Sequence, residues 1–389
     1  MSSVQERDHQ YIAGTYARFP VTLVSGKGSV AYDENGKEYI DMGTGIGVDA
    51  FGFVDDTWIN AVETQLHKIQ HTSNLYYTEP AVELAEILCN KTGMSKVFFV
   101  NSGAEANETA IKAARKYQAE HKGPEYSTII TMKDSFHGRT LTTLAATGQE
   151  HYHELFQPLT PGFVHSEINN LENVQKLVDE YKVAAIMFEC IQGEGGVVNL
   201  DKDFVRGLEQ IAKDNDLLLI VDEVQTGNGR TGKMYSYMHF DIHPDIVSTA
   251  KGLGGGLPIA ACLLSEKVQD VFGFGDNGTT YGANPVCCAG AVSVISRIDE
   301  NLLNGVQERS NYIRNELEGA PGVKGVSGMG LILGVATDRP AGEIVSECLE
   351  NGVLCLTAKD KIRLLPALNI PMDQLAKAVK VIKEACAKK

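Results

Sequence analysis

Lys251 is the residue of this sequence with the clearest capacity for covalent chemistry. It follows a strand-like run that begins at Asp245, and the glycine-rich stretch 252–256 comes directly after it. Glycines let the backbone make room for a bulky group, so the ammonium group is expected to point into a site. A lysine held in this way can lose its proton and form a Schiff base with an aldehyde, although many such lysines only cap a turn.

Asp222 gives Lys251 a chemical partner, since it ends another apolar run, at residues 217–222. A carboxylate at the end of a buried strand is unfavourable unless it is paired. A protonated pyridine nitrogen would satisfy it, and the carboxylate would keep that nitrogen protonated. An amine and a carboxylate of this kind are the pair that pyridoxal phosphate requires of its protein. The alternative is that Asp222 caps the next turn or pairs with a structural arginine.

A phosphate could bind where a helix is predicted to begin, after the apolar run at residues 96–100. Ser102 and Glu105 have the spacing of a capping box, which marks a helix start. Gly103 would let a phosphate approach the free backbone amides there, where the helix dipole also favours an anion. The same residues fit an ordinary strand, turn and helix with a good cap.

Two further loops follow predicted strands. In the loop at residues 135–140, Phe136 could stack on a flat cofactor and Arg139 could bind a carboxylate. The alternative is a loop with one phenylalanine in the core and one solvated arginine. Glu189 ends a neighbouring strand and leads into the glycine-rich acidic loop 192–196, in the same layer.

The middle of the chain alternates short apolar strands with amphipathic helices. Strands are predicted at residues 96–100, 128–132, 184–189, 217–222 and 246–248, and helices at 104–121, 171–180 and 204–215. This alternation predicts an α/β fold with a mostly parallel sheet that is covered on both faces. Ligands bind outside the carboxyl ends of the strands in such sheets, which is where the polar loops stand.

The two ends of the chain follow a different pattern. Asn35-Gly36 lies between two strand-like runs, which predicts a β-hairpin. After Pro285 we predict a long helical stretch that breaks near Asn301, strands at 331–336 and 362–365, and a final helix after Pro371. We expect an N-terminal segment (1–48) that joins a small α+β domain (286–389), with a large cofactor-binding domain (49–285) between them.

Composition excludes several classes of partner. The 389 residues carry a formal net charge of −15, which disfavours nucleic acid and anionic membrane surfaces. No secretory signal and no apolar run long enough to span a bilayer is visible, so we expect a cytoplasmic protein. The eight cysteines and ten histidines show no metal-ligand spacing, and we expect reduced thiols and no metal.

Five motifs resemble those of class III aminotransferases, pyridoxal-phosphate enzymes of fold type I. The resemblance then extends to the hairpin at 26–41 and to residues 280–285 and 362–366. Taken together and in this order, the motifs are highly specific. The five segments are residues 101–107, 136–139, 192–194, 222–227 and 249–251.

The resemblance implies a role for each matching residue. Lys251 would form the Schiff base and move the substrate proton, and Asp222 would pair with the pyridine nitrogen. Phe136 and Val224 would enclose the ring, and Gln225 would contact its phenolic oxygen. The phosphate and substrate contacts would come from the remaining positions: Ser102 and the amides of Gly103 and Ala104 for the phosphate, Thr280 for the phosphate of the partner subunit in a homodimer, Arg139 for a substrate carboxylate, and Glu194 with Arg363 as a switch pair for 2-oxoglutarate or glutamate.

Within the family, the segment 71–77 and the compact length most resemble acetylornithine aminotransferases. Gly45 stands where ornithine δ-aminotransferases carry a tyrosine, and a glycine would leave room for an acyl group. The resemblance therefore implies ping-pong transfer of the terminal amine of N2-acetyl-L-ornithine to 2-oxoglutarate. The alternatives are another donor (succinylornithine, ornithine, GABA or a lysine-pathway compound) or a racemase or aminomutase on the same fold. Cys190, where the family usually has proline, is a departure of no predicted consequence for the chemistry.

Overall fold

Seven strands form the central sheet of the computed structural model, which describes residues 3–388. Their order across the sheet is β4-β12-β11-β10-β7-β5-β6, and only β12 runs antiparallel to its neighbours. The mostly parallel sheet is therefore confirmed. The strands are β4 (Lys96–Val100), β5 (Thr128–Met132), β6 (Phe163–Ser166), β7 (Val183–Phe188), β10 (Leu218–Asp222), β11 (Ile246–Thr249) and β12 (Ala260–Leu264).

The five strands that the sequence predicts are confirmed to within one residue at each end, whereas β6 and β12 were not predicted. Because six strands are parallel, the residues that follow β4, β5, β7, β10 and β11 meet at one edge of the sheet. That edge therefore collects the polar loops in which chemistry is expected.

Helices cover both faces of this sheet, as predicted. Along β10, Leu219 and Val221 pack into one core cluster, while Leu218 and Ile220 pack into the other. The helices are α1 (Val4–Tyr11), α2 (Thr44–Gly47), α3 (Asp56–Leu66), α4 (Glu79–Thr92), α5 (Gly103–His121), α6 (Leu141–Ala146), α7 (Leu171–Glu180), α8 (Lys202–Asp214), α9 (Pro285–Ile295), α10 (Glu300–Leu317), α11 (Ala341–Glu350) and α12 (Met372–Ala387).

Helix α5 begins at the edge of the sheet where the polar loops meet. Its buried face carries small residues, Ala106, Ala110, Ala113 and Ala114, which let the helix pack closely on the sheet. The side chain of Ser102 caps it by accepting a hydrogen bond from the backbone N–H of Glu105 at 3.3 Å. The predicted helix start is confirmed, one residue earlier than expected.

The N-terminal hairpin is also confirmed, and it joins a strand from the C-terminal region. Strands β1 (Leu23–Lys27), β2 (Val30–Asp33) and β3 (Glu38–Asp41) are antiparallel, with β15 (Val353–Leu354) parallel to β3. Gly36 has a φ of 79° in the turn, a conformation that glycine adopts without strain. This pairing agrees with an N-terminal segment attached to the small domain; the domain boundaries stay a prediction.

From Pro285 onward the chain forms the helices α9 to α12 and a second small sheet. An antiparallel sheet in the order β13-β14-β17-β16 contains β13 (Val323–Met329), β14 (Ile332–Thr337), β17 (Lys361–Leu364) and β16 (Leu356–Ala358). A two-stranded sheet pairs β8 (Ile191–Gln192) with β9 (Val198–Asn199). The predicted break in the helical stretch is confirmed, at residues 296–299, a few residues before Asn301. The chain leaves the helix after Ile295, and Asp299 caps α10 by accepting from the N–H of Leu302 at 2.8 Å.

Helix α2 is a left-handed turn and lies beside the site. All four of its residues, Thr44 to Gly47, have φ between 45° and 77°. The hydroxyl of Thr44 donates to the carbonyl of Leu365 at 2.6 Å, which ties this turn to the end of β17. Across residues 3–388, none of the helices has both the length and the apolar character needed to cross a membrane.

Candidate active site

A cavity of about 450 Å³ lies at the edge of the central sheet where the polar loops meet. The ends of β4, β5, β10 and β11 all contribute to its wall. Of the residues that the sequence predicts for the site, nine line it: Ser102, Gly103, Ala104, Phe136, Arg139, Asp222, Val224, Gln225 and Lys251. The parallel topology thus brings together residues that are up to about 150 positions apart in the chain.

Lys251 lies in a single 3-10 turn, Lys251–Leu253, that starts just after β11. Its backbone φ is 46°, in the left-handed region, which costs a residue with a side chain about 1–2 kcal/mol. Burial lowers the pKa of its ammonium group, and the nearby charge of Glu194 opposes that shift only in part. Its amine therefore deprotonates more readily than that of a surface lysine, as a nucleophilic role requires.

Asp222 is buried and its carboxylate is held from three sides. Oδ2 accepts a hydrogen bond from Nδ2 of Asn107 at 2.7 Å and contacts Nδ1 of His137 at 2.8 Å, and Oδ1 accepts from the N–H of Val224 at 2.9 Å. An ionised carboxylate can only accept, so Nδ1 of His137 carries the proton in this contact. These donors stabilise the negative charge of the buried carboxylate.

Asn107 and His137 are functional candidates that sequence reasoning missed. Both belong to segments that the sequence singles out, but no spacing rule connects either residue to Asp222. Nδ2 of Asn107 also donates to the backbone carbonyl of His137 at 2.8 Å, so the two donors are fixed to each other. Nε2 of His137 is buried and has no hydrogen-bond partner among residues 3–388.

Glu189 is a second buried carboxyl group beside Asp222. It comes directly after β7, where Oε2 accepts from the N–H of Phe136 at 3.0 Å and Oε1 from the N–H of Gly193 at 3.4 Å. Burial raises the pKa of Glu189 to about 7, with His137 opposing this shift and Asp222 adding to it. The carboxyl thus links the loop that carries Phe136 to the loop that carries Glu194.

The N-terminus of α5 forms another part of the wall. The hydroxyl of Ser102 also lies 3.2 Å from Oε2 of Glu105, and that oxygen accepts from the N–H of Asn101 at 2.8 Å. A Cβ atom added at Gly103 would lie 2.7 Å from Cγ1 of Val224. Gly103 is therefore required for the close approach of Val224, in addition to its predicted role beside a phosphate.

Aromatic rings and a guanidinium group form the outer wall. Phe136 meets Tyr152 edge to face with ring centroids 6.0 Å apart. The exposed guanidinium of Arg139 lies 4.1 Å from the centroid of the Tyr152 ring and 5.5 Å from that of Phe136. These cation–π contacts orient Arg139 towards the cavity. Tyr152 ends a single 3-10 turn, Glu150–Tyr152, and no sequence pattern marked it.

Glu194 and Arg363 form an ion pair just behind the cavity wall. Nη1 of Arg363, on β17, lies 2.6 Å from Oε1 of Glu194. Gln225 joins the pair: its Nε2 donates to Glu194 at 3.3 Å and its Oε1 accepts from Arg363 at 3.2 Å. Burial alone would raise the pKa of Glu194, but the charge of Arg363 holds it below its usual range. The predicted pair is thus in contact, with Gln225 as an additional member.

Besides the Glu194–Arg363 pair, two predicted residues lie outside this cavity. Thr280 lines a separate opening beside Asn74 and Phe99. Gly45 lines a neighbouring cavity of about 430 Å³ together with Phe19 and Ile46. Both predicted roles, at the phosphate of a partner subunit and beside a substrate acyl group, stay predictions.

Comparison with known proteins gives the family of this chain. The family description Aminotransferase class-III matches residues 11–386. Acetylornithine aminotransferase of Haemophilus ducreyi is 47% identical over 381 residues, which cover 97% of each chain.

The chain belongs to the class III aminotransferases. It is a pyridoxal-phosphate-dependent transferase, since this family works with that cofactor. Solved structures of class III aminotransferases share its fold. Ornithine aminotransferase of Toxoplasma gondii ME49 has a TM-score of 0.94 at 30% identity, covering 98% of this chain and 94% of that one. N-acetylornithine aminotransferase of Stenotrophomonas maltophilia K279a has a TM-score of 0.84 at 32% identity, covering 98% of both.

The residues of this aminotransferase fit pyridoxal phosphate. The cavity brings together an amine of lowered pKa, a buried carboxylate with three stabilising contacts and the N-terminus of a helix. These groups correspond to the aldehyde, the ring nitrogen and the phosphate of the cofactor. Among residues 3–388 no group of three or more His, Cys, Asp or Glu side chains is arranged to hold a metal.

Proposed function

We propose that this enzyme moves the terminal amine of N2-acetyl-L-ornithine to 2-oxoglutarate, giving N-acetyl-L-glutamate 5-semialdehyde and L-glutamate. The likeness to the Haemophilus ducreyi acetylornithine aminotransferase carries the proposal, because the 47% identity extends over 97% of both chains. The reaction belongs to arginine biosynthesis.

Asp222 and Lys251 perform the central steps. Pyridoxal phosphate, when bound, supplies an aldehyde that combines with amines and a ring that withdraws electrons. Asp222 would hold a proton on the ring nitrogen of the cofactor, since Asn107, His137 and Val224 stabilise the negative charge of its carboxylate. Nζ of Lys251 would carry a proton between the substrate carbon that bears the transferred amine and the aldehyde carbon of the cofactor, in opposite directions in the two halves of the cycle.

Other residues hold the cofactor. The backbone amides of Gly103 and Ala104, with Ser102, would bind the phosphate at the start of α5, where these residues line the cavity. Phe136 and Val224 would enclose the ring of the cofactor, and Gln225 would contact its phenolic oxygen. Each of these residues lines the same cavity as Lys251.

The Glu194–Arg363 pair lets one site accept two different substrates. While the amino donor is bound, Glu194 neutralises Arg363 across the 2.6 Å contact. When 2-oxoglutarate or glutamate binds, Glu194 moves away and Arg363 binds the α-carboxylate. Arg139, held over the ring of Tyr152, binds the other substrate carboxylate.

A second donor class is supported by one observation. The fold matches that of the Toxoplasma gondii ornithine aminotransferase with a TM-score of 0.94, so ornithine or another ω-amino acid is the alternative donor. Gly45 argues for an acylated donor, since the glycine leaves room where ornithine δ-aminotransferases carry a tyrosine. The Glu194–Arg363 pair argues against a racemase or aminomutase, because such enzymes use no external keto acid.

The enzyme acts as a cytoplasmic homodimer in this proposal. Large apolar side chains stand out from the surface, with Leu75, Tyr77 and Phe274 respectively 84%, 101% and 110% exposed. Exposed apolar groups of this size favour burial against a partner. Thr280 lines the same opening as Leu75, and in this proposal the phosphate of the second subunit binds there.

Comparison of kcat/KM over a panel of donors tests the proposal. N-acetylornithine, N-succinylornithine, ornithine, GABA and lysine would each be assayed with 2-oxoglutarate and added pyridoxal phosphate. We expect N-acetylornithine to be preferred by more than about tenfold, roughly 1.4 kcal/mol in the transition state. A preference for ornithine or GABA would overturn the donor and the role of Gly45 while leaving the aminotransferase assignment intact.

A further inference from the structure

The loop from Asp222 to Asn228 connects the two ends of the catalytic machinery. It leaves β10 at Asp222, and the N–H of Glu223 donates to the carbonyl of Ser248 on β11 at 2.8 Å. Six residues after Asp222, the side chain of Asn228 reaches the end of β11. The loop therefore spans from the carboxylate of Asp222 to the backbone that carries Lys251.

Asn228 binds the chain just before Lys251 through both hydrogens of its amide. Nδ2 donates to Oγ1 of Thr249 and to the carbonyl of Ala250, each at 3.0 Å. Asn228 is only 2% exposed, so water does not compete for these bonds. Its Cβ also lies 3.5 Å from the position that a Cβ at Gly252 would occupy, which is ordinary packing contact.

The backbone at Lys251 needs such support because it is strained. A left-handed φ of 46° in a residue with a side chain persists only where its surroundings enforce it. The carbonyl of Ala250 accepts from the N–H of Leu253 at 2.9 Å as well as from Asn228. Two donors thus fix the peptide group immediately before Lys251.

The loop that carries Asn228 is itself anchored. Oε1 of the fully buried Glu223 accepts from the hydroxyl of Ser236 at 2.6 Å and from the N–H of Tyr237 at 2.9 Å. Its Oε2 accepts from the hydroxyl of Thr226 at 2.7 Å. Asn228 has a φ of 57°, which asparagine tolerates better than most residues. The amide is thus presented from a rigid segment.

We propose that Asn228 is a positioning residue for transamination, whose side-chain amide fixes the direction of Lys251 relative to Asp222. The inference rests on the proposed role of Lys251 as the proton-transferring amine. It is independent of which donor the enzyme prefers, since every donor would use the same amine.

Two substitutions separate the amide from the backbone shape at this position. Asn228→Gly keeps access to the left-handed conformation and removes the amide, whereas Asn228→Asp keeps the shape and replaces the donor by an acceptor that faces the Ala250 carbonyl. A misplaced catalytic group costs about tenfold to a hundredfold in rate. We expect kcat to fall by about tenfold or more in both variants, with KM for each substrate changed by less than about threefold.

The visible absorption of the bound cofactor gives a readout other than turnover. Its pH midpoint reports protonation of the bond between the cofactor and Lys251, and we expect this midpoint to shift in both Asn228 variants. Thr249→Val removes one acceptor and leaves the bond to Ala250, so its effect should be smaller. Asn169→Gly is the matched control, because Asn169 also has a φ of 57° but lies exposed. Its Oδ1 accepts from the backbone N–H of Asp201, at 2.9 Å.

Thermal unfolding of the same variants decides whether Asn228 positions Lys251 or only stabilises the fold. If the Asn228 variants melt earlier but keep kcat and the absorption midpoint of the unaltered enzyme, the inference is wrong. If Asn228→Asp does not fold, Asn228→Gly decides alone. An unaltered enzyme without activity on any donor would overturn the proposed function instead, and the absorption midpoints would still test the role of Asn228.

Discussion

A side chain at position 193 would collide with Gln225. A Cβ added at Gly193 would lie 2.2 Å from Oε1 of Gln225, the atom that accepts from Arg363. In Gly193→Ala, Gln225 must therefore move away from both Glu194 and Arg363. We expect kcat/KM for 2-oxoglutarate to fall by about tenfold or more, roughly 1.4 kcal/mol, in steady-state assays.

Gly325→Ala provides the control, because a Cβ at Gly325 meets no atom within 4 Å. It should leave kcat/KM unchanged. Equal kinetics in Gly193→Ala and Gly325→Ala would mean that the contacts of Gln225 with the ion pair do not matter for the keto acid.

Glu189 makes stability depend on pH in a defined direction. Its pKa is raised from 4.5 to about 7 in the folded protein, so between these values the folded state keeps a proton that the unfolded state has lost. The contribution of Glu189 to the free energy of unfolding is therefore largest at low pH and falls as pH rises towards 7. Glu189→Gln, which mimics the protonated form, should remove this dependence of the free energy of unfolding on pH.

Denaturant unfolding of the two proteins between pH 5 and pH 8 measures this difference. The exposed residue Glu83 serves as control, and Glu83→Gln should follow the unaltered protein at every pH. If the free energies of unfolding of Glu189→Gln and the unaltered protein differed by the same amount at every pH, the raised pKa of Glu189 would be contradicted.

The chemistry of single residues was only partly predictable from the sequence. Lys251 and Asp222 can be identified from the sequence, because a charged residue at the end of an apolar strand is unfavourable unless it has a partner. Asn107 and His137 do not, since their contacts with Asp222 join residues 115 and 85 positions apart in the chain. Such contacts depend on which strands become neighbours, and strand order cannot be read from local patterns.

At the scale of elements, two capped helices allow a matched comparison. Ser102 caps α5, which packs on the central sheet, whereas Ser3 caps α1, which buries none of its residues. Ser102→Ala should lower the free energy of unfolding by about 1 kcal/mol. Ser3→Ala should leave it unchanged, because fraying of α1 exposes no core.

Denaturant unfolding of both variants checks this expectation, and titration with pyridoxal phosphate extends it. Ser102→Ala should also bind the cofactor more weakly, since its hydroxyl and the amides of the same turn are proposed to hold the phosphate. Equal stability losses in the two variants would contradict the different packing of the helices.

The pattern of elements shows where sequence reasoning fails. Strands β4, β5, β7, β10 and β11 are apolar runs bounded by turns, and their polarity pattern identifies them. Strand β12 follows a glycine-rich loop and begins with two alanines, a composition that does not favour strands. Its place between β4 and β11 is set by packing, because the sheet needs a strand there to bury both neighbours.

At the scale of the whole molecule, a shared site predicts complementation between two defective chains. Thr280→Val should weaken phosphate binding in the site of its partner, while Lys251→Ala disables its own site. In a hybrid of the two, one site has an intact lysine and receives an unaltered Thr280 from its partner. At limiting pyridoxal phosphate we expect the mixture to exceed the mean activity of the two separate proteins.

The hybrids are made by unfolding and refolding the two variants together. Each variant, unfolded and refolded alone and then assayed, is the control for this experiment. Activity of the mixture equal to the mean of the two would show that the subunits work independently. The proposed contact of Thr280 across the interface would then be wrong.

The antiparallel strand β12 has a consequence for the order in which the protein folds. Val100 pairs with Ala260, so β4 joins the sheet only after the chain has closed a loop of about 160 residues. Strands β7, β10 and β11 are direct neighbours and meet over shorter separations. The carboxylate and amine end of the cavity should therefore assemble early during refolding, and the helix terminus that follows β4 should dock late. Cofactor capture would then report the last stage of folding.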